Sequence, residues 1–150
     1  MSRNKRLSIL TAAEVEDLYG VPSFNESYQR FYFMLNDKEL AEISRIRQRK
    51  YRCVAIALLG YFKCKPVLLN PRYKSMQDDL VFIARFHYRD LTFRRFSLKP
   101  DQKSRIYARV LSIVGVSNWN DKRHQPQLVE HLCTCAESWV EPRAVFDAAI

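Results

Sequence analysis

The sequence predicts an all-α protein, a compact multi-helix domain containing helix-turn-helix-like units. Three observations carry that prediction. Tyr51, Val54, Ala55, Leu58, Leu59 and Phe62 recur at the spacing of one helical face. Glycine is scarce, at three residues in 150, and no long period-two alternation of the kind that marks half-buried strands occurs anywhere in the chain. The length fits one domain, residues 1–150, with enough apolar content for a real core, 47%, and too much for disorder.

In chain order, Met1 to Ser8 carries Arg3, Lys5 and Arg6 ahead of any periodic pattern. It reads as a flexible basic arm, either lying along DNA or without a role. Thr11 with Glu14 is a T-x-x-E helix start, and Val15 and Leu18 give that helix an apolar edge until Gly20 and Pro22 stop it. A short helix over about Asn25 to Phe33 presents Phe24, Tyr28, Phe31 and Tyr32, rings expected to build core rather than bind bases. Asn36 with Glu39 resembles a capping box, and Leu40, Ile43 and Ile46 edge the helix it opens.

The stripe from Tyr51 to Phe62 follows. Its other faces, with Cys53, Ile56 and Ala57, are also apolar. A helix apolar nearly all round is enclosed by neighbours, so this one is expected at the centre. Lys63 to Lys74, with Pro66, Asn70 and Pro71, reads as a connector. Ser75 and Asp78 then read as a helix start whose Met76, Leu80, Ile83 and Ala84 point inward, with Asp78 and Asp79 as first-turn acids favoured by the helix dipole.

Arg85 to Phe96 interleaves arginines with aromatics, a pattern that suits base stacking and equally suits rings sealing a core under solvated arginines. Pro100 fits a first helical turn. Ile106, Tyr107, Val110, Ile113 and Val114 line one face of that helix, Arg105, Arg109 and Ser112 another, and Gly115 ends it. Asn120 is expected to cap a long helix with Leu128, Leu132, Cys135, Ala136 and Trp139 inward, and Pro142 to open a last one. A helix, a Gly turn and a helix beginning near Asp121 is the plan of a helix-turn-helix as well as ordinary bundle structure.

The charge is large and uneven. Arg45 to Arg123 holds 19 Lys and Arg against 5 Asp and Glu, a net of +14, while the remainder holds 6 against 11, a net of −5, giving the overall +9. Clustered cations are what counterion release along a phosphate backbone rewards. Five of the eight residues from Arg45 to Arg52 are cationic. Lys50 and Arg52 fall at the positive pole of the central helix, where a phosphate would turn an unfavourable placement into a site; the alternative is a solvated basic turn. The expected DNA contacts are Arg45, Arg47, Arg49, Lys50, Arg52, Arg94, Arg95, Lys103, Arg105, Arg109, Lys122, Arg123 and Gln125.

The four cysteines, Cys53, Cys64, Cys133 and Cys135, form no CxxC pair and read as reduced, mostly buried thiols. His131 and Cys135, one turn apart, fall short of the four ligands of a structural zinc site, so no metal or other cofactor is expected. Walker, zincin and nucleophile-elbow motifs are missing, and the chain is expected not to be an enzyme. With no apolar run of transmembrane length, no signal peptide and no lipidation motif, it is expected in the cytoplasm, associated with the nucleoid and not with a membrane.

Several segments together resemble the N-terminal region of the large replicative transposases of the Tn-three family. They are Ile9-Leu10-Thr11-Ala12-Ala13-Glu14, Phe31-Tyr32-Phe33-Met34-Leu35 leading into Glu39-Leu40, the arginine cluster, and Ala57-Leu58-Leu59-Gly60-Tyr61-Phe62-Lys63. Lys103 to Asn118, ending in Ile113-Val114-Gly115-Val116, is similar to that family's next segment, so the likeness spans nearly the whole chain. It implies a sequence-specific helical module that recognises the terminal inverted repeats of a transposon during replicative transposition. Its implied partners are double-stranded DNA at the transposon ends and the remainder of the transposase chain, with any homodimer formed through regions absent here. The family's acidic triad, on a ribonuclease-H-like fold near the C-terminus, has no counterpart in these residues, which implies an excised N-terminal piece or a short stand-alone relative. The alternative is a regulatory or interaction protein that uses the same basic face on protein or RNA.

Overall fold

The computed structural model describes residues 9–117, 122–138, 143–144 and 147. Seven helices occur among them, and no strand: α1 Ala12–Tyr19, α2 Glu26–Phe33, α3 Asp37–Ser44, α4 Arg49–Cys64, α5 Tyr73–His87, α6 Pro100–Val114 and α7 Gln125–Ser138. The all-α expectation holds. The chain divides into a larger compact unit, Glu16–Val116, and a smaller one made of Met1–Val15 and Ser117–Ile150. No described helix is long and apolar enough to cross a membrane.

In the larger unit α4 is the axis, packed against α2, α3, α5 and α6. Nine consecutive residues, Cys53 to Tyr61, are buried, because apolar side chains on every face of a helix leave none that prefers water. Burial also pushes the Cys53 thiol up to about 12. The Leu59-Gly60-Tyr61-Phe62-Lys63 end of α4 is explained by packing. A Cβ on Gly60 would come within 2.4 Å of the Phe33 ring, so only glycine lets α2 approach this closely. The Tyr61 hydroxyl donates to Asp79 at 2.6 Å. Lys63 donates to Glu39 at 2.9 Å and to the Met34 carbonyl at 3.0 Å, tying α4 to α3 and to the end of α2.

Local signals set four of the seven helix starts and the end of α6. Asn25 accepts from the Tyr28 amide, Asn36 and Glu39 form the reciprocal capping box, Pro100 opens α6, and Gly115, at φ 71°, closes it. Thr11 and Glu14 bond reciprocally at the start of α1.

α5 departs from expectation. It starts at Tyr73, two residues before Ser75, straight after the extended Arg72 and with no side-chain cap. Asp78 and Asp79 therefore lie beyond the first turn, where the dipole no longer accounts for them. Asp79 is instead buried, accepting from Tyr61 and from Gln29 Nε2 at 2.8 Å, and burial holds its carboxyl above the usual carboxylate range.

The aromatic reading of α2 needs a similar correction. Phe33 is buried and Phe24 packs against the core, whereas Phe31 is 71% and Tyr28 55% exposed. The segment 88–99 is irregular, with Phe93 and Phe96 laid on the core and Arg94 and Arg95 in solvent.

In the smaller unit, Arg143 donates to Glu14 at 2.8 Å, to the Ile9 carbonyl at 3.3 Å and to Asp147. The Glu14 carboxyl is held down at about 2, chiefly by the Arg143 hydrogen bond and then by Thr11. α7 starts at Gln125, with Pro126 harmless in its first turn. Of its expected inward stripe Cys135 is buried, but Leu128, Leu132 and Ala136 are exposed. Cys133 is exposed too, against the expectation of mostly buried thiols. The basic arm, the Asn120 cap and Trp139 lie outside the described residues, and of the helix expected from Pro142 the described residues are Arg143, Ala144 and Asp147, all three helical.

Candidate nucleic-acid interface

The arginine cluster occupies the turn between α3 and α4. Arg45 caps α3 with its own backbone, the chain bends through Ile46, Arg47 and Gln48, and α4 begins at Arg49 without a side-chain cap. Arg52, one turn into α4, reaches back to donate to the Ile46 carbonyl at 2.6 Å and the Ser44 carbonyl at 2.8 Å. A cation on these carbonyls offsets the negative pole of α3 and fixes the turn. Arg52 is thus an internal brace, while its neighbours in the cluster differ from it and from one another.

Arg49 pairs with Asp90 at 2.7 Å, both well exposed, a surface pair of the kind that contributes little to stability. Lys50 lies 5.0 Å from the Tyr51 ring centroid and 5.2 Å from that of Phe96.

Arg45 and Arg47 face α6 across a cleft of about 610 Å³. Arg105 and Arg109 form its other wall, with Ser112 beside them on the face the helical spacing predicted. Tyr51, Gln48 and Gln102 complete the polar lining, and no acidic residue lines the cleft. Behind it, Glu42 accepts from Arg45 and from Arg109, each at 2.9 Å. One carboxylate, 21% exposed, therefore joins α3 to α6 and offsets part of the charge of two arginines. Arg47 and Arg105 form no ion pair with any described residue. Of the four arginines lining the cleft, these two are the most available to an incoming anion.

A family model matches residues 9–150. The chain belongs to the family described as Domain of unknown function (DUF4158). No curated protein and no solved structure matches it.

The DUF4158 match takes in the arginine cleft and the remaining candidate residues, which the fold places elsewhere. Arg95 and Lys103 line a second cavity of the larger unit, of about 580 Å³, and Arg94 is exposed on the irregular segment beside it. Lys103 donates to Asn70 and lies 5.7 Å from the centroid of the Tyr107 ring. Lys122, Arg123 and Gln125 belong to the smaller unit, all exposed. Lys122 and Arg123 sit in a turn before α7 and Gln125 is its first residue, so the arginine expected inside a recognition helix precedes it instead. α6 and α7, the two members of the expected helix-turn-helix, fall in different units. His131 Nε2 lies 3.8 Å from Cys135 Sγ, and no group of three or more potential metal ligands occurs among the described residues.

Sequence reasoning missed Glu42 as the link to Arg109, and Asp90 as the partner of Arg49. The Glu42–Arg45 pair was legible from its i, i+3 spacing. The Arg109 contact, 67 residues away in sequence, carries no local signal.

Proposed function

We propose that this DUF4158 chain is a DNA-binding module, the part of a Tn-three-type replicative transposase that recognises terminal inverted repeats. The observation that carries the proposal is the cleft in which two cationic segments, Arg45 with Arg47 and Arg105 with Arg109, face each other with no acid in the lining. Apposed arginines suit a phosphodiester backbone, because a planar fork grips phosphate oxygens through two hydrogen bonds at once. The +14 excess between Arg45 and Arg123 supports the same reading, and the resemblance of the segments from Ile9 to Asn118 supplies the transposon end as target. Base reading is assigned to Arg123, in the turn before α7, and to Gln125, the first residue of α7, since such side chains reach guanine and adenine edges. The catalytic chemistry, in this proposal, belongs to the rest of a longer chain.

The test is a salt titration of binding to an inverted-repeat duplex and to a random duplex. Arg47→Ala with Arg105→Ala is expected to weaken both and to flatten the salt slope by about 0.9 for each phosphate no longer neutralised. Arg123→Ala is expected to narrow the preference for the repeat by about 1–3 kcal/mol. An unchanged slope in the first variant would leave the cleft a solvated surface.

The alternative, a regulatory or interaction protein, is favoured by one feature. Phe31 and Met34 are 71% and 58% exposed near the end of α2, apolar side chains open to a partner. Partner binding that persists at high salt and is lost on Phe31→Ser would support that reading.

A further inference from the structure

The second cavity of the larger unit differs in kind from the arginine cleft. Its floor is the protein core itself, formed by Leu58 of α4 and Met76 and Leu80 of α5, all 5% exposed or less. Tyr73, Phe96 and Tyr107 wall it, the first two meeting edge to face at 5.9 Å between centroids. The charged residues in its lining are Arg95 and Lys103, and no acid accompanies them. Arg95 is exposed and forms no ion pair with any described residue. Lys103 is oriented by Asn70. The volume, about 580 Å³, falls within the roughly 300–1,000 Å³ of sites that enclose a small ligand.

We propose that this cavity binds a single unpaired nucleotide, with its base laid against the aromatic walls beside the Leu58 and Leu80 floor and its phosphate on Arg95 and Lys103. An aromatic-walled, apolar recess takes a flat ring irrespective of its hydrogen-bonding edge, and a guanidinium beside an ammonium takes the attached phosphate. A wholly apolar ligand would leave both cations without a counter-charge. Inorganic phosphate alone would leave the rings and the core floor uncovered. The ligand chemistry is therefore aromatic and anionic in one molecule. It has two sources, a free mononucleotide or a nucleotide unpaired from a DNA strand. The site does not depend on duplex binding at the arginine cleft, because the two cavities share no lining residue.

The experiment follows the methyl resonances of Leu58, Met76 and Leu80 in the full chain. One titration uses dAMP, one a hairpin duplex carrying a single unpaired adenosine, and one the same duplex fully paired. Saturable shifts with dAMP at about millimolar concentration or below identify a free nucleotide as ligand. Shifts with the unpaired duplex and not with dAMP identify the strand as source. In either case Arg95→Ala with Lys103→Ala is expected to weaken the interaction roughly tenfold or more with unchanged thermal unfolding, while Arg47→Ala with Arg105→Ala leaves the shifts produced by dAMP intact. If neither probe moves these methyls, or if they move equally with the fully paired duplex, the proposal is overturned. Salt-dependent duplex binding at the arginine cleft is scored separately and survives or fails by itself.

Discussion

Two carboxylates of the larger unit each hold two partners, and their surroundings make them opposites. Asp79 lies in the core, where it accepts from a tyrosine hydroxyl and a glutamine amide and so binds α5 to α4 and α2. Both partners are neutral, and the charge is left for the protein to desolvate. Glu42 lies behind the cleft and accepts from two arginines, binding α3 to α6. Its partners are charged, and the pair interactions are partly screened by solvent. A buried acid with neutral partners is a matter of fold stability and pH. A partly buried acid among arginines is a matter of how much positive charge the surface offers a ligand.

Breaking the core around Asp79 should have the largest effect. Leu58→Ala is expected to cost about 2–5 kcal/mol in denaturant unfolding, and near wild-type stability would refute the central placement of α4. Asp79→Ala should follow at about 1–3 kcal/mol, the penalty for leaving the buried Tyr61 hydroxyl without its acceptor. Neither variant, at a temperature where it stays folded, is expected to alter the salt dependence of DNA binding.

The pH response sharpens the contrast. Burial raises the Asp79 carboxyl above its unfolded value, so the folded state holds that proton to a higher pH than the unfolded chain does. Its contribution to stability is therefore most favourable below the unfolded value, about 3.9, and declines as pH rises through the raised folded one. Relative to Asp79→Asn, the wild type should lose stability on going from acid to neutral pH. Parallel melting-temperature profiles for the two proteins would contradict the assignment.

Glu42→Gln should act on the other side of the comparison and change stability least, by about 0–1 kcal/mol, as exposed pairs do. Its effect should appear in binding. With Arg45 and Arg109 released, affinity for random duplex should rise and the salt slope steepen by about 0.9 for each additional phosphate neutralised. A weaker complex would mean that Glu42 matters by positioning Arg109 rather than by masking its charge.

The cationic cluster shows where sequence reading stops. From Arg45 to Arg52 the five cations look alike in sequence, yet the fold separates them into a cleft wall at Arg45 and Arg47, a surface pair at Arg49, a ring contact at Lys50 and an internal brace at Arg52. A flexible cationic side chain takes whichever acceptor the fold brings near, and that acceptor is here a carbonyl six or eight residues back or an acid 41 residues on.

By itself the sequence determined what depends on neighbours along the chain. The all-apolar surface of α4 made that helix central, the Asn36–Glu39 box opened α3, and Pro100 and Gly115 bounded α6, because helical periodicity, capping and backbone preference act over a few residues. Only the tertiary structure decided what depends on residues far apart in sequence. It buried Asp79 against Tyr61 and Gln29, left Phe31 in solvent, and set Arg105 and Arg109 opposite Arg45 and Arg47. The physical reason is that periodicity says which face of a helix seeks cover, whereas packing decides which neighbour supplies it and which polar groups are carried along.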